Sequence, residues 1–307
     1  MTMSVAATAP DKATMTGRAW VVTTLAIVAI VVGLNLLFVW KTDIFGLLRD
    51  ARGRELRTSR HERKAKYFLN FHYVPENFDG LVIGASTSLN WRLPKITGYH
   101  FYNESLLGAD GSEQRKFIDK ALETGHFKVA LVGISRGLTD RHDLQDGLGQ
   151  ADPHEALGSF YSYVLSVDRF LHPKSQYATD GSWQMTEVPE LPPPGGHYMT
   201  TPLDHKALDD YRIMTQHLLD HGTRVVYVVS PHYGLDLDGS GPILADYDRT
   251  VLAQMPPAPV IDFNGPEYKY FWDNPVNYND VDHLSPAGAD LITTLINQHM
   301  HELLHDQ

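Results

Sequence analysis

The stretch NDVDHLSP, residues 279–286, combines residue types that could move a proton. An imidazole such as that of His283 has an ordinary pKa of about 6.5, so it can act as a general base at neutral pH. Asp280, three residues earlier, could bond the other ring nitrogen and fix its tautomer, and Asp282 is a second candidate for that role. The stretch therefore predicts one half of an acid–base site, although a solvated loop could carry the same residues.

A serine that could serve as a nucleophile lies in the stretch GASTS, residues 84–88. Ser86 follows an apolar run at a helix start, where a developing negative charge is stabilised, and Gly84 permits close packing there. Gly108, which follows the next apolar run, could offer its backbone N–H to an oxyanion. Each pattern alone is also typical of a helix cap or a turn. Whether these residues form a site therefore depends on whether the fold brings them together.

The elements that must bring these residues together read as alternating strands and helices. Continuous Val/Ile/Leu runs predict strands buried on both faces over residues 79–84, 99–103, 128–134, 224–230 and 260–263. Helical patterns cover residues 111–124, 204–221, 243–254 and 285–304. This alternation predicts an α/β fold with a doubly wound five-stranded parallel sheet. Ligands bind at the carboxyl ends of such strands, where Ser86, Gly108 and His283 all fall.

The N-terminal part of the chain differs in composition from the rest. Residues 1–18 read as a tail, and residues 19–40 are apolar and uncharged with a tryptophan near each end, which predicts a transmembrane anchor. Residues 41–75 are rich in Lys and Arg and read as a basic juxtamembrane connector, either solvated or lying on anionic lipid. Residues 76–307 form the predicted α/β domain, with an irregular insertion at about 138–203 that is typical of a lid or binding loop.

The composition excludes several kinds of chemistry. The 307 residues include no cysteine, which rules out disulfides, thiolate metal sites and a cysteine nucleophile. The net charge of −11 argues against a nucleic-acid partner. His301 and His305 lie one helical turn apart, but no carboxylate cluster completes a metal site with them. We therefore expect neither a metal nor another cofactor.

With the serine, the glycine and the Asp-x-x-His stretch in this order, the chain resembles the SGNH (GDSL-type) hydrolase superfamily over about residues 78–300. The resemblance implies a flavodoxin-like sheet. It also implies that Ser86 is the nucleophile, His283 the base and Asp280 its orienting carboxylate, with the N–H of Gly108 in the oxyanion hole.

Two positions depart from the pattern of that superfamily. Ala85 stands where an aspartate is usual, and Ser135, in the stretch GISR after the third strand, stands where an asparagine side chain usually donates to the oxyanion. Ser135 could donate from its hydroxyl, but less rigidly. Removing one such donor typically lowers the rate about 100- to 1000-fold, so this position bears directly on catalytic competence.

The anchor, the altered motifs and the long insertion together are similar to membrane-anchored SGNH proteins that act beside membrane-bound O-acyltransferases or polysaccharide synthase complexes. That resemblance implies a serine esterase or O-acyltransferase that modifies an exported polysaccharide or cell-envelope glycan through an acyl-serine intermediate. It also implies a single-pass protein of the inner (plasma) membrane, in contact with the lipid bilayer, with its catalytic domain in the periplasm. The basic flank after the anchor conflicts with that orientation, because Lys and Arg favour the cytoplasmic side.

The sequence leaves two other functions open. A non-catalytic SGNH-like scaffold that binds carbohydrate within a synthesis complex would account for the altered motifs. A membrane-bound lipase or thioesterase would keep the same serine, histidine and aspartate but would need an apolar groove.

Three further residues are candidates for binding substrate. Arg92 and Arg136 could hold a carboxylate or phosphate, and His232 follows the fourth predicted strand at the same edge of the sheet. The alternatives are surface salt bridges for the two arginines and a structural loop role for the histidine.

Overall fold

The computed structural model describes residues 17–58, 61–142, 159–172, 175–185, 202–234 and 241–305. Its strands are β1 (Gly80–Ile83), β2 (Phe101–Asn103), β3 (Val129–Ile134), β4 (Arg224–Val229) and β5 (Val260–Asp262). Its α-helices are α1 (Gly17–Thr42), α2 (Glu62–Leu69), α3 (Tyr73–Asn77), α4 (Gly111–Leu122), α5 (Arg136–Thr139), α6 (Phe160–Leu171), α7 (His205–Asp220), α8 (Gly241–Leu252), α9 (Lys269–Trp272) and α10 (Pro286–His305).

All five strands form one parallel sheet with the order β2-β1-β3-β4-β5. This is the flavodoxin-like order, in which the chain reverses its direction of winding between β1 and β3. The register places Val82 of β1 opposite Asn103 of β2, and Ile83 opposite Val132 of β3. The loops that follow these strands therefore meet at one edge, and the predicted α/β fold class is confirmed.

Alternate residues of β1, β2, β3 and β4 enter two separate hydrophobic cores, one on each face of the sheet. Leu81 and Ile83 belong to the core formed with α3, α4, α7 and α8, whereas Val82 belongs to the core formed with α9 and α10. Strand residues are thus buried on both faces, which explains their continuous apolar sequence.

Every predicted strand and helix is present, with bounds that differ from the predicted ones by two residues at most. One of these differences lies at a helix cap. Asp204, predicted as the first residue of a helix, is the N-cap of α7, and its side chain accepts the N–H groups of Lys206 and Ala207.

The chain divides into two compact units at residue 42. The described part of the first unit is α1, a helix of 26 residues that is long and apolar enough to cross a membrane by its length and composition. Such a helix near the N-terminus is either a membrane span or a signal sequence. The predicted tail, residues 1–18, lies almost entirely outside the described residues.

The stretch predicted as a basic connector contributes to the core of the second unit, which begins at Asp43. Leu56, Leu69 and Tyr73 are buried in the same core as β1 and β3. Some basic residues of the stretch are paired, as in the 2.6 Å contact between Arg54 and Asp43. The stretch differs from the expected connector because its scattered apolar positions are buried in two hydrophobic clusters.

The insertion at 138–203 includes α6, a helix that the sequence analysis does not predict. Ser159 caps it by accepting the N–H of Ser162. Beyond α6, the N–H of Trp183 donates to the carbonyl of Leu89 at 2.8 Å, which ties the insertion to the segment that follows Ser86. Residues 143–158, 173–174 and 186–201, including the stretch LPPPGG, lie outside the described residues.

Candidate active site

Ser86 and His283, 197 residues apart in sequence, meet at the carboxyl edge of the sheet. The Oγ atom of Ser86 lies 2.8 Å from Nε2 of His283. The Nδ1 atom of the same ring lies 2.7 Å from Oδ2 and 2.9 Å from Oδ1 of Asp280. Hydroxyl, imidazole and carboxylate thus form one hydrogen-bonded chain, in the order that acyl transfer by a serine nucleophile requires.

The loop around Asp280 holds its carboxylate against the imidazole. The Oδ1 atom of Asp280 accepts the backbone N–H groups of Asp282 at 2.9 Å and of His283 at 2.7 Å. An antiparallel bridge between Tyr278 and Leu284 closes the base of this loop. The tight turn presents the carboxylate to the ring of a residue only three positions later in the chain.

A helix begins directly after this loop, as the sequence predicts. The Oγ atom of Ser285 accepts the N–H of Gly288 at 3.1 Å and donates to the carbonyl of Val276 at 2.6 Å. Pro286 is the first residue of α10, where its missing N–H leaves no hydrogen bond unmade. This cap fixes the position at which the loop that carries His283 joins the start of α10.

The turn that carries Ser86 is packed closely against the next loop. Ser86 opens a short 3₁₀ turn, Ser86–Ser88, directly after β1. The Oγ atom of Ser88 lies 2.8 Å from Oγ of Ser105 and donates to the carbonyl of Ala85 at 3.1 Å. A Cβ atom on Gly84 would lie 2.3 Å from that Ser88 Oγ, so only glycine fits there.

Residues 103–108, which we call the oxyanion loop, are tied to the same turn. The side-chain amide of Asn103 donates to the carbonyl of Ser88 at 2.9 Å, and the N–H of Leu106 donates to the carbonyl of Gly84 at 3.2 Å. From α4, the side-chain amide of Gln114 also donates to Gly84 at 2.9 Å. These bonds fix the loop beside the nucleophile turn.

The two residues predicted for the oxyanion hole each hold a donor without a partner in the described part of the chain. Gly108 has φ +62°, a left-handed conformation that favours glycine, and its N–H takes part in none of the hydrogen bonds found there. Ser135 precedes α5 without capping it, and its Oγ atom is buried with no hydrogen bond among the same residues. Both groups could therefore donate to a bound oxyanion.

The electrostatics of the site favour a charged histidine. The hydrogen bond that the His283 ring donates to Asp280, together with the charges of Asp280 and Asp282, raises the pKa of His283 although burial opposes this. Burial alone would raise the pKa of Asp280, but the hydrogen bonds from the His283 ring and the loop N–H groups hold it below its ordinary value. The side chains of His283 and Asp280 are 30% and 45% exposed, so a substrate can reach them.

A second histidine–aspartate pair lies beside the first. The Nδ1 atom of His232 is 3.0 Å from Oδ1 of Asp282, and the N–H of His232 donates to the side-chain oxygen of Asn264 at 3.1 Å. Burial lowers the pKa of His232, but the bond to Asp282 and the charge of Asp248 outweigh it and raise the pKa. Asp282, which the sequence analysis names as an alternative partner for His283, instead bonds His232.

A cavity of about 520 Å³ opens between α8 and the end of β5. Asp248, Arg249, Asp262 and Asn264 supply its polar lining, and Leu244 and Leu252 are among its apolar lining residues. Asp248 is only 9% exposed, and burial raises its pKa to about 7 despite the charge of His232. Within the part of the chain that the structure describes, no three His, Asp or Glu side chains group as a metal-ligand set does.

The two arginines predicted to bind substrate lie on different elements. The backbone N–H of Arg92 donates to Oγ1 of Thr293 in α10 at 3.0 Å, and its role in binding stays a prediction. Arg136 opens α5 next to Ser135, and its positive charge lowers the pKa of His232, which places it on the side of the second pair.

One residue near the oxyanion loop carries no signal in the sequence. A Cβ atom on Gly108 would lie 3.7 Å from Nη2 of Arg141, so that guanidinium is adjacent to the loop. Arg141 follows α5 rather than a strand, so no strand end marks it in the sequence as a residue of the carboxyl edge.

Comparison with known proteins gives distant structural matches alone. No protein-family model and no curated protein matches the chain. Among solved structures, the chain is similar to a protein from Streptococcus pneumonia that is named, provisionally, as a platelet activating factor. The TM-score is 0.45 and the identity 11%, over 79% of this chain and 92% of that one. A match at this level identifies no activity for this chain.

Proposed function

We propose that this protein is an SGNH-type serine esterase or O-acyltransferase. The observation that carries the proposal is the hydrogen-bonded chain from Oγ of Ser86 through His283 to Asp280, with distances of 2.8 and 2.7 Å. A serine hydroxyl is a weak nucleophile until an adjacent base accepts its proton, and an imidazole held by a carboxylate is such a base.

The reaction would proceed in two half-reactions. His283 takes the proton of Ser86 while Oγ attacks the ester carbonyl carbon, and the oxyanion of the tetrahedral intermediate is held by the N–H groups of Gly108 and Ser86 and the hydroxyl of Ser135. His283 then protonates the leaving alcohol oxygen as the C–O bond breaks, which leaves an acyl-Ser86 ester. In the second half-reaction His283 deprotonates the incoming water or hydroxyl, which attacks the acyl carbon and releases Ser86.

The acceptor of the acyl group distinguishes the two activities. Water as acceptor gives an esterase, and a hydroxyl group gives an O-acyltransferase. The cavity beside the second histidine–aspartate pair presents Asp248, Asp262 and Asn264, whose oxygens accept hydrogen bonds from hydroxyl groups. Leu244, Leu252 and other apolar residues line the same cavity, so its lining does not separate a glycan from an acyl chain. On the resemblance to membrane-anchored SGNH proteins, we propose acetyl-type transfer to, or removal from, an exported polysaccharide or cell-envelope glycan.

We further propose that α1 anchors the protein in the inner membrane, with residues 43–307 in the periplasm beside a membrane-bound O-acyltransferase or a polysaccharide synthase complex. The length and apolar composition of α1 support an anchor. The Lys and Arg residues that follow α1 count against a periplasmic orientation, because the positive-inside rule does not depend on net charge. Accessibility of an engineered cysteine at exposed Arg52 to a membrane-impermeant thiol reagent in intact cells would test the orientation.

The test of the activity is hydrolysis of p-nitrophenyl acetate by the full chain in detergent. We expect turnover in the wild type and loss of at least about 1000-fold in Ser86→Ala and His283→Ala. Thr294→Ala, which removes a hydroxyl bonded only to its own helix, should behave as the wild type. Full activity in both site variants would overturn the mechanism.

A non-catalytic scaffold is the second candidate, because a serine replaces the usual asparagine donor at position 135. It predicts no turnover that depends on Ser86, together with binding of oligosaccharide that is lost in Asp248→Ala and retained in Ser86→Ala. Calorimetric titration of oligosaccharides into these two variants measures the binding that the scaffold requires, and the absence of turnover that depends on Ser86 distinguishes the scaffold from the enzyme.

A further inference from the structure

The peptide group between Leu107 and Gly108 has to be held in one orientation for the proposed chemistry. It carries the N–H that would meet the oxyanion, and rotation of this peptide plane would turn that donor away. Packing does not hold it, because the side chain of Leu107 is 52% exposed. The left-handed φ of Gly108 also gives the backbone more freedom here than at other residues.

Helix α2 supplies the missing support. The Nη2 atom of Arg63 donates to the carbonyl of Leu107 at 2.6 Å, and Oε2 of Glu62 accepts the N–H of Leu107 at 3.3 Å. The Nε atom of Arg63 is itself anchored by Oε1 of Glu113 in α4 at 2.6 Å. Because a peptide group is planar, fixing the Leu107 oxygen also fixes the direction of the Gly108 N–H.

The charge of Arg63 has a second effect on the same peptide group. A hydrogen bond from a guanidinium is stronger than one from a neutral donor, and it draws electron density towards the carbonyl oxygen. Hydrogen bonds in a chain polarise one another, so the N–H at the other end of the peptide group becomes a better donor. The side chains of Arg63 and Glu113 are 19% and 7% exposed, which limits screening by water.

A buried lysine from the same helix holds the other end of the loop. The ammonium group of Lys66 is fully buried and donates to the carbonyls of Asn103 and Ser105 at 2.7 Å each. Glu62 lies 3.7 Å from it and offsets its charge. Burying a cation is costly unless its hydrogen bonds are satisfied, so these two carbonyls and the carboxylate are required partners.

We propose that α2 is a positioning element of the candidate active site, in which Arg63 aims the N–H of Gly108 at the oxyanion through the carbonyl of Leu107. This inference rests on the proposed function. It assigns a role in catalysis to the stretch between the apolar helix and the sheet, although none of its residues touches Ser86, His283 or Asp280. A chain cut after α2 would keep those three residues and lose the support of the loop.

The test compares Arg63→Ala, Arg63→Lys and Lys64→Ala in the full chain in detergent, with p-nitrophenyl acetate as substrate. Lys64 is the exposed neighbour on the same helix, so its variant removes one positive charge from the same stretch. We expect kcat to fall roughly 10- to 100-fold in Arg63→Ala, because a small misplacement of a catalytic group is enough for such a loss. The KM and the apparent pKa of the pH–rate profile should stay at their wild-type values, since the His283–Asp280 pair is unchanged.

Arg63→Lys should lose less than Arg63→Ala, because an ammonium group can reach Leu107 or Glu113 but cannot bridge both as the planar guanidinium does. If Arg63→Ala fails to fold, the kinetics of Arg63→Lys test the positioning role. Wild-type kcat in the folded arginine variants, or a loss that appears in KM or in the apparent pKa, would overturn the positioning role while leaving Ser86 chemistry intact. Absence of turnover that depends on Ser86 in the wild type would instead overturn the proposed function, and this inference with it.

Discussion

Asp280 and Asp282 stand two residues apart in one loop and face different histidines. Asp280 bonds Nδ1 of His283 at 2.7 Å, and Asp282 bonds Nδ1 of His232 at 3.0 Å. The Oδ1 atom of Asp280 accepts the backbone N–H groups of Asp282 and His283, which closes the turn between the two carboxylates. One loop thereby supplies both the partner of the candidate base and the partner of a second histidine near the cavity.

This arrangement predicts that the two aspartates are not interchangeable. Asp280→Asn should lower kcat for p-nitrophenyl acetate by about 1000-fold or more, because the ring loses the carboxylate that sets its tautomer and stabilises its charged form. Asp282→Asn, the matched change, should leave kcat for this small ester within about threefold of the wild type. Steady-state kinetics of the two purified variants measure this, and equal losses in both would contradict the assignment.

The pH dependence of hydrolysis should report the raised pKa of His283. Only the neutral imidazole can accept the Ser86 proton, so kcat/KM should rise with pH and reach half its maximum above pH 6.5. In Asp280→Asn the hydrogen bond that raises this pKa is lost, and the midpoint of the residual activity should move to lower pH. An unchanged midpoint in that variant would show that the titrating group is not this histidine.

Ser135 should behave as an oxyanion donor. Ser135→Ala removes a buried hydroxyl without a partner among the described residues, and we expect kcat to fall at least about tenfold with little change in KM. Ser135→Asn, which restores the more rigid amide donor, should raise kcat above the wild type. If kcat is the same in the serine and alanine forms, the hydroxyl plays no part in binding the oxyanion.

Glu104 should make the fold less stable as pH rises. Burial raises its pKa from 4.5 to about 8, although Lys66 opposes this, so the folded protein keeps a proton that the unfolded chain releases near pH 4.5. The folded state then binds more protons throughout this window, and its stability falls between about pH 4.5 and 8. Glu104→Gln should show a smaller loss of unfolding free energy from pH 5 to pH 8.

The control for this measurement is Glu123→Gln, since the side chain of Glu123 is 61% exposed. Urea unfolding followed by circular dichroism at the two pH values gives the comparison. A pH dependence of Glu104→Gln that matches the wild type would show that Glu104 titrates outside this range.

Gly84 should tolerate no side chain. A methyl group there would meet Oγ of Ser88 at 2.3 Å and force it away from Ser105. We expect Gly84→Ala to lower the free energy of unfolding by about 1–3 kcal/mol and to reduce kcat, because the turn carrying Ser86 has to shift. Gly137→Ala is the control, because a methyl group there would meet open space. It should change neither the free energy of unfolding nor kcat by a comparable amount. Thermal unfolding and steady-state kinetics of the two variants measure this.

Part of this architecture follows from short-range patterns. Continuous apolar runs predict the five strands, and the side chains of Asp204 and Ser285 mark where α7 and α10 begin. Given parallel strands, the position of Ser86 just after β1 places it at the carboxyl edge, and His283 lies in the connection between β5 and α10. Each of these inferences depends on neighbours within a few residues or on a general property of parallel sheets.

Other features depend on contacts that a local pattern does not contain. The sequence of α2 reads as a basic connector, and only its packing shows that Arg63 and Lys66 bond carbonyls about 40 residues away. Helix α6 was likewise missed, since its residue Leu165 becomes buried only against Phe45, Ala65 and Phe68.

The sequence by itself thus determined the α/β class, the apolar N-terminal helix and the candidate serine and histidine, because periodicity, caps and chain order are local properties. Only the tertiary structure decided that the Oγ atom of Ser86 lies within hydrogen-bond distance of His283, and that a stretch rich in positive charge supports the oxyanion loop. Both outcomes depend on the direction in which side chains leave the backbone after distant segments have packed, and hydrogen bonds across 197 or 44 residues are made only then.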